Sequence, residues 1–250
     1  MEELPDNFID LVITDPPFNV MNKQDLKFKH RTDIRQDVKF DQFESYESYL
    51  TFIDRWVKII EQKLRMNSSM YIFFAIQYIT DLMNICLKYG LRYKGVIIWH
   101  KTNPAPKIRK NGYLSSTESV LFMTKGKPTF NFLGQNKMHN FIETPICMGN
   151  ERLKDEQKLN KIGNFATLHP TQKPLELYEH FIEVSSNVDD LISDPFAGTG
   201  TANVASKKLN RYCLGIEIDE KYSHYAKERI RSASSTIQKF RIDKWTKKIE

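Results

Sequence analysis

The sequence predicts an α/β fold built on a mostly parallel β-sheet. Short runs of β-branched and aromatic residues alternate with segments whose apolar residues recur at helical spacing. Strands that alternate with helices require crossover connections, which place helices on both faces of a parallel sheet. Two of the apolar runs end at an acidic residue followed by proline, namely Asp15 and Asp194. Because ligands of open α/β sheets bind at the carboxyl ends of strands, a binding site is expected where these runs end.

The predicted elements follow one another along nearly the whole chain. We expect strands over 8–14, 69–75, 91–99, 117–124, 190–193 and 212–217. We expect helices over 46–64, 77–89, 175–185, 201–209 and 220–231. The polar, basic stretch 19–43 is interpreted as a long loop, and 134–168 as irregular, because neither shows a clear period.

The composition excludes several classes of protein. The 250 residues carry 37 Lys+Arg against 31 Asp+Glu, and this charge of +6 is compatible with a polyanionic partner. Three distant cysteines, Cys86, Cys147 and Cys213, indicate a reducing compartment and no disulfide framework. The histidines show no ligand spacing with them, so no metal site is expected. No apolar run approaches the ~18–20 residues that a membrane span needs, and the acidic N-terminus lacks a signal-peptide pattern.

A glycine-rich turn follows the predicted strand that ends at Asp194. The segment DPFAGTGT leads into a helix, and Glu217 follows at the end of the next strand, 23 positions after Asp194. Glycines allow close backbone approach to a ligand, and a carboxylate at that spacing can bind ribose hydroxyls. Asn203 replaces the third glycine of a dinucleotide fingerprint, and no GK[ST] sequence is present. A nucleoside ligand without pyrophosphate is therefore favoured over NAD, while a plain strand-to-helix turn is the alternative.

The tetrapeptide Asp15-Pro16-Pro17-Phe18 ends the first predicted strand. The exocyclic amine of a nucleobase is a poor nucleophile because its lone pair is delocalised into the ring. A carboxylate and a rigid backbone carbonyl, each accepting one N–H, would push that nitrogen toward sp3, and an adjacent aromatic ring can stack on an extruded base. The alternative is a strand stopped by prolines, with the phenylalanine in the core. A third polar segment, HPTQKP at 169–174, precedes a helix and on its own could simply be the start of that helix.

Taken together, these motifs give the sequence a specific resemblance. DPPF, HPTQKP, DPFAGTGT and GIE, in that order, resemble the β-group of S-adenosylmethionine (SAM)-dependent DNA amino-methyltransferases, the N4-cytosine/N6-adenine DNA methylase family, over most of the chain. The resemblance implies a Rossmann-like SAM-dependent methyltransferase fold with circularly shifted motif order. It divides a single domain into a catalytic half (1–124), a target-recognition insertion (about 125–168), a cofactor half (169–232) and a basic tail (233–250).

The resemblance also implies a role for each motif residue. The target base would be held and stacked by Asp15, Pro16, Pro17 and Phe18. The cofactor, SAM, would be bound by His169, Thr171, Lys173, Asp194, Phe196, Gly198, Thr199, Gly200, Thr201 and Glu217. Glu217 would take the ribose, and Lys173 is expected at the methionine end. Family members usually begin with a further strand that carries an adenine contact. Its absence here predicts a sheet with one strand missing at the N-terminus. Either the start was assigned late, or another segment supplies the contact, or SAM binding is weak, and weaker SAM binding is our hypothesis.

Double-stranded DNA is the expected partner. Two basic stretches flank the inferred pocket, with phosphate contacts expected from Lys27, Lys29, Arg31, Lys101, Lys107, Arg109 and Lys110. A solvated basic surface is the alternative for each stretch. The resemblance is also compatible with a second copy of this chain, in a homodimer, and with a cognate restriction endonuclease as further partners. The expected location is cytoplasmic, in a prokaryotic cell and associated with the nucleoid.

The first motif residue also bears on the reaction. In this resemblance Asp at position 15 favours N6-adenine over N4-cytosine as the methylated atom. The alternatives are an N4-cytosine DNA methyltransferase, an RNA or protein methyltransferase, and an inactive DNA-binding subunit that needs a partner chain to complete its sheet. A dehydrogenase is disfavoured by Asn203.

Overall fold

The computed structural model describes residues 1–19, 43–106, 111–149, 151–159, 165–168 and 171–234. The strands are β1 (Ile9–Thr14), β2 (Leu64–Phe74), β3 (Arg92–Lys101), β4 (Thr117–Lys125), β5 (Phe141–Thr144), β6 (Lys154–Leu159), β7 (Phe165–Thr167), β8 (Leu191–Asp194) and β9 (Tyr212–Gly215). The helices are α1 (Tyr46–Lys63), α2 (Ile79–Lys88), α3 (Leu175–Ser185), α4 (Thr201–Lys208) and α5 (Glu220–Ser232).

Seven strands of the described residues form one sheet in the order β5-β3-β4-β2-β1-β8-β9. β4 runs antiparallel to both of its neighbours, and every other pair is parallel. The predicted α/β fold with a mostly parallel sheet is therefore confirmed. β9 lies at one edge of this sheet, and no strand precedes β1 among the described residues.

The stretch 134–168, predicted to be irregular, contains three strands in the structure. β5 pairs in parallel with the outer side of β3, and β6 pairs with β7 in a separate two-stranded sheet. That prediction was wrong because these strands are short and mostly polar, so they carry no apolar alternation. Their extended conformation depends on pairing with a partner strand, which is a tertiary contact.

Each face of the central sheet carries its own apolar core. On the face covered by α1 and α2, Val12 of β1 packs with residues such as Ile53 and Leu82. On the face covered by α3 and α4, Leu11 and Ile13 pack in the second core. The alternation follows from the two-residue period of a strand. Because both faces are buried, β1 carries consecutive apolar residues, which is typical of a central parallel strand.

Helix α1 is positioned by its own sequence. Ser45 caps its N-terminus and accepts a hydrogen bond from the Ser48 N–H, while the Ser48 hydroxyl accepts one from the Ser45 N–H. This reciprocal pair satisfies two backbone donors that the first helical turn would leave unpaired. The buried residues of the helix recur every three or four positions, from Tyr49 to Lys63, so one stripe faces the sheet.

In the described part of the chain, none of the helices has the length and apolar character of a membrane span.

A stack of aromatic rings fills the core beneath α3. Phe181 lies 4.4 Å from Tyr71, and Tyr71 lies 4.5 Å from Phe122, centroid to centroid, with nearly parallel planes. The Phe181 side chain is only 1% exposed. We expect Phe181→Ala to lower the free energy of unfolding by about 3–5 kcal/mol in urea titrations, because it removes buried area and leaves a cavity.

Phe132→Ala provides the control, because Phe132 is 57% exposed. That surface change should stay within about 0.5 kcal/mol of wild type. Equal losses in the two variants would contradict the placement of Phe181 in the core.

Candidate active site

The carboxyl ends of β1 and β8 meet at the centre of one sheet edge. The two strands pair in parallel, with Leu11 opposite Ile192 and Val12 opposite Ser193. Just beyond this pairing, the Thr14 hydroxyl donates a 2.8 Å hydrogen bond to Asp194 Oδ1, across 180 positions of sequence. The two motifs that begin at Asp15 and Asp194 therefore start side by side. The expectation that the two strands end at the same edge of the sheet is therefore confirmed.

The glycine turn after β8 is held against the end of β9. Gly198 has φ 52° and Gly200 has φ 75°, in the left-handed region that side chains rarely adopt. A Cβ on Gly200 would also lie 2.9 Å from the Cβ of Ala226 in α5. The Gly198 N–H donates to Glu217 Oε2 at 2.7 Å, and the Asp219 N–H donates to Glu217 Oε1 at 2.9 Å. The Glu217 carboxylate is thus fixed beside the turn, at the site where a ribose was predicted.

Two threonines of the turn are anchored from α5. The Arg229 guanidinium donates to the Thr199 carbonyl at 2.7 Å, and its Nη1 lies 3.4 Å from the Thr201 hydroxyl. Both threonines are buried. These contacts fix the turn, and they engage the Thr199 carbonyl and the Thr201 hydroxyl with the Arg229 side chain.

Asp194 is a buried carboxylate with neutral partners. It is 3% exposed and accepts hydrogen bonds from the Thr14 hydroxyl and the Phe196 N–H. Among the described residues no cation pairs with it. Burial raises the pKa of the Asp194 carboxyl to about 7, and the charges of Asp15 and Glu217 act in the same direction. A cationic ligand in the cleft would favour the ionised form.

Aromatic residues of α1 cover the same turn. The Phe196 ring meets Phe52 at 5.9 Å and Trp56 at 5.8 Å, both edge to face. The Trp56 Nε1–H is buried and has no hydrogen-bond partner among the residues that the structure describes. α1 therefore forms an apolar wall over the start of the glycine turn.

The Asp15-Pro16-Pro17-Phe18 tetrapeptide is held rigidly at the end of β1. The Tyr49 hydroxyl of α1 donates a 2.9 Å hydrogen bond to the Pro17 carbonyl, and Pro16 is buried. The Phe18 ring is partly exposed and packs at a tilt on Phe74, 6.2 Å away. The prolines and the tyrosine contact together restrict the backbone that carries Asp15.

Lys173 occupies a position that the sequence did not predict. Its Nζ lies 2.5 Å from Asp15 Oδ2 and 3.3 Å from Glu118 Oε2, so it contacts the first motif of the catalytic half. Burial alone would lower the pKa of the Lys173 ammonium, but Asp15 and Glu118 raise it above its ordinary value. Lys173 therefore remains charged in a site where it is only 5% exposed.

Glu118 is a site residue that the sequence analysis left without a role. It lies on β4 opposite Trp99 of β3, and its Oε1 pairs with Lys101 Nζ at 2.7 Å. Burial raises the pKa of the Glu118 carboxyl, but Lys173 and Lys101 bring it below its ordinary value. Predicting that β3 and β4 pair antiparallel would have placed Glu118 near Lys101. The contact between Glu118 and Lys173 could not be predicted in this way, because it joins segments that meet only in the folded chain. Lys101, predicted to contact DNA phosphate, has a side chain only 14% exposed in this ion pair.

The remaining predicted residues fall into two groups. Thr171 is exposed and precedes three buried residues, of which Gln172 bonds to the backbone of Glu151 and Leu153. The other group lies outside the described residues and comprises His169, Lys27, Lys29, Arg31, Lys107, Arg109 and Lys110. In the described ranges, no group of three or more His, Cys, Asp or Glu could hold a metal ion.

This edge of the sheet therefore presents two different sets of groups side by side. One side presents a glycine turn and two carboxylates, from Asp194 and Glu217, which suit a nucleoside that carries positive charge. The other side presents a carboxylate, a rigid backbone and an aromatic ring, which suit an amine on a planar base.

Comparison with known proteins supports the same interpretation. The family model described as DNA methylase (N6_N4_Mtase) matches residues 9–228. The chain belongs to this family. Its match begins at β1 and ends within α5, so it includes both halves of the cleft.

Two curated relatives are methyltransferases by name. The chain is 31% identical over 241 residues to "Type II methyltransferase M.HinfI" of Haemophilus influenzae, covering 92% of this chain and 65% of that protein. It is 30% identical over 238 residues to "Type II methyltransferase M.HpaI" of Haemophilus parainfluenzae, covering 93% and 71%. The chain thus spans about two thirds of the length of these relatives.

A solved structure shares the fold. The crystal structure of the M1.HpyAVI–SAM complex superposes with a TM-score of 0.67 at 26% identity, covering 89% of each chain. The Rossmann-like methyltransferase fold is therefore shown for this chain.

The burial of Asp194 predicts how stability depends on pH. The folded pKa is about 7, above the ordinary value of 3.8, so ionising Asp194 costs folding free energy as pH rises toward 7. Asp194→Asn cannot ionise. Between pH 5 and pH 8 we expect the variant to gain about 2 kcal/mol in unfolding free energy relative to wild type. Urea titrations of the ligand-free protein at several pH values measure this difference.

Asp189→Asn, at an exposed turn position with φ 69°, is the matched control and should follow the pH dependence of wild type. A difference between Asp194→Asn and wild type that stays constant from pH 5 to pH 8 would contradict the raised pKa.

Proposed function

We propose that this chain transfers a methyl group from SAM to the N6 amine of adenine in duplex DNA, after the base has been flipped out of the helix. The observation that carries the proposal is the Thr14–Asp194 hydrogen bond, which holds the DPPF motif beside the glycine turn at one sheet edge. Membership of the DNA methylase family and the likeness to a SAM complex support it.

The residues of the glycine side fit SAM. Glu217 lies beside the turn and offers carboxylate oxygens to the two ribose hydroxyls. Asp194 provides a buried carboxylate without a cationic partner among the described residues, which suits a ligand carrying positive charge. Phe196 and the α1 rings form an apolar wall that keeps water away. When bound, SAM supplies an activated methyl group on a sulfonium.

The residues of the DPPF motif prepare the amine. Asp15 accepts one N–H, and the Pro16 carbonyl accepts the other, because the Pro17 carbonyl already accepts the Tyr49 hydroxyl. These two acceptors direct the nitrogen lone pair toward the methyl group, and Phe18 stacks on the flipped base. The methyl group replaces one amine hydrogen, so a proton leaves the nitrogen, and Asp15 is the carboxylate placed to receive it. Holding both reactants in one cleft supplies much of the rate acceleration.

DNA is the substrate that the family and the net charge support. The formal charge of +6 favours binding to phosphates, with an affinity that falls as salt rises. Both curated relatives are named Type II methyltransferases, which supports a cognate restriction endonuclease as a functional partner. The carboxylate of Asp15, rather than a hydroxyl at that position, favours adenine. N4-cytosine is the second candidate, because the matched family includes both reactions in its name.

The first test identifies the modified atom. DNA from cells that express this chain should contain N6-methyladenine in one short sequence context, detected by single-molecule sequencing and by mass spectrometry of nucleosides. Asp15→Ala should abolish the mark, since the amine loses its carboxylate acceptor. N4-methylcytosine in the DNA would favour the second candidate. Unmodified DNA together with methylated RNA would contradict the proposal.

The second test concerns the ribose contact. Glu217→Gln keeps an oxygen for the Gly198 N–H but loses a negative charge that strengthens hydrogen bonds to hydroxyls. We expect the affinity for SAM to fall by about 10- to 100-fold in calorimetric titrations. Glu220→Gln, an exposed first-turn residue of α5, should bind SAM as wild type does. Unchanged affinity in Glu217→Gln would remove Glu217 from the cofactor site.

A further inference from the structure

Glu118 lies outside the four motifs that carry the resemblance, yet it lies one ion pair away from Asp15. Its Oε1 is held by Lys101 at 2.7 Å. Its Oε2 is buried and accepts no well-aligned hydrogen bond from the described residues, although Lys173 Nζ lies 3.3 Å from it. A buried carboxylate oxygen without a hydrogen bond is costly. Glu118 therefore has an oxygen that forms a longer ion pair with Lys173 and could accept a closer hydrogen bond from it.

Lys173 is placed between two carboxylates at unequal distances. Its Nζ lies 2.5 Å from Asp15 Oδ2 and 3.3 Å from Glu118 Oε2. The rings of Phe73 and Phe18 lie 5.2 Å and 5.6 Å from the ammonium. With aromatic rings close by and 5% exposure, the ammonium depends on these two carboxylates for its ion pairs.

The closer pairing conflicts with the role proposed for Asp15. The Asp15 carboxylate held by Lys173 must accept the N–H of the target amine during the reaction. An ammonium 2.5 Å from Asp15 Oδ2 competes with the amine for that carboxylate. Pulling a buried ammonium away from its carboxylate is strongly unfavourable unless another carboxylate receives it. Glu118 Oε2 is the oxygen within reach, less than 1 Å farther from Nζ than the Asp15 oxygen.

We propose that Glu118 is a positioning residue that takes the Lys173 ammonium from Asp15 when the target amine enters the cleft. Lys173 then forms its hydrogen bond with Glu118 Oε2, and the Asp15 carboxylate can accept the N–H of the amine. Lys101 keeps Glu118 in place by holding the other oxygen. The ammonium stays paired throughout, so the exchange avoids a buried unpaired charge. This role rests on the proposed methyl transfer to an amine held by Asp15.

The first experiment tests the exchange without any catalysis. Asp15→Asn removes the negative charge that holds Lys173 in the free protein. A crystal structure of this variant should place Lys173 Nζ at hydrogen-bond distance from Glu118 Oε2 and farther from position 15 than in wild type. If Lys173 stays on position 15 and does not approach Glu118, the proposal is overturned, whatever reaction the protein catalyses.

The second experiment tests the consequence for the reaction. Glu118→Gln removes the charge that receives Lys173, so the ammonium remains on Asp15. We expect kcat to fall by about 10- to 100-fold, while the calorimetric Kd for SAM stays within about twofold of wild type. Glu118→Asp retains a carboxylate and should recover most of the lost kcat. This recovery distinguishes a charge-receiving role from a purely structural one.

Glu61→Gln is the matched control. Glu61 forms an ion pair at 2.9 Å with Lys125, which lies on the same strand as Glu118, β4. The Glu61 and Lys125 side chains are 22% and 16% exposed, close to the values for the Glu118–Lys101 pair. Glu61→Gln should leave kcat unchanged. Full kcat in Glu118→Gln, or equal losses in the Gln and Asp variants, would overturn the role of Glu118. A wild-type chain that methylates no DNA would instead contradict the proposed function, and the structural experiment on Asp15→Asn would still decide the exchange.

Discussion

The cleft depends on one constraint, namely that β1 and β8 pair in parallel at the centre of the sheet. These strands lie far apart in the chain, yet Thr14 and Asp194 share a hydrogen bond where the strands end. Both strands are buried on both faces, so a slip of one residue would turn apolar side chains into the wrong core. The register of two apolar strands thus sets the position of Asp15 relative to the glycine turn.

The catalytic side and the glycine side of this sheet edge differ in how their carboxylates are paired. On the catalytic side, Asp15 and Glu118 share the ammonium of Lys173, so charge is balanced within the protein. On the glycine side, Asp194 and Glu217 are bonded to neutral donors, a hydroxyl and backbone N–H groups. The two sides are therefore suited to different reactants. A neutral amine can approach the first, and a cationic nucleoside is favoured at the second.

Most of the fold was predictable because the central elements carry strong local patterns. The strand ending at Thr14 and the helix over 175–185 were predicted with the right ends or within one residue of them. β5, β6 and β7 were missed because short polar strands have no apolar period and form only against a partner. Within the site, the glycine turn and the DPPF motif were found from their residue types. Glu118 was not assigned, and the contact of Lys173 with Asp15 was not predicted.

The order and types of the residues were enough to predict the family, the order of the two half-sites and the groups that each half-site offers. These properties are local, because a proline pair after a strand or a glycine turn before a helix restricts its own backbone. Which charges meet, in contrast, follows from the folded chain. The Lys173 contacts with Asp15 and Glu118 join residues from three separate segments, and the strength of such contacts depends on burial and distance, neither of which is a property of any single segment.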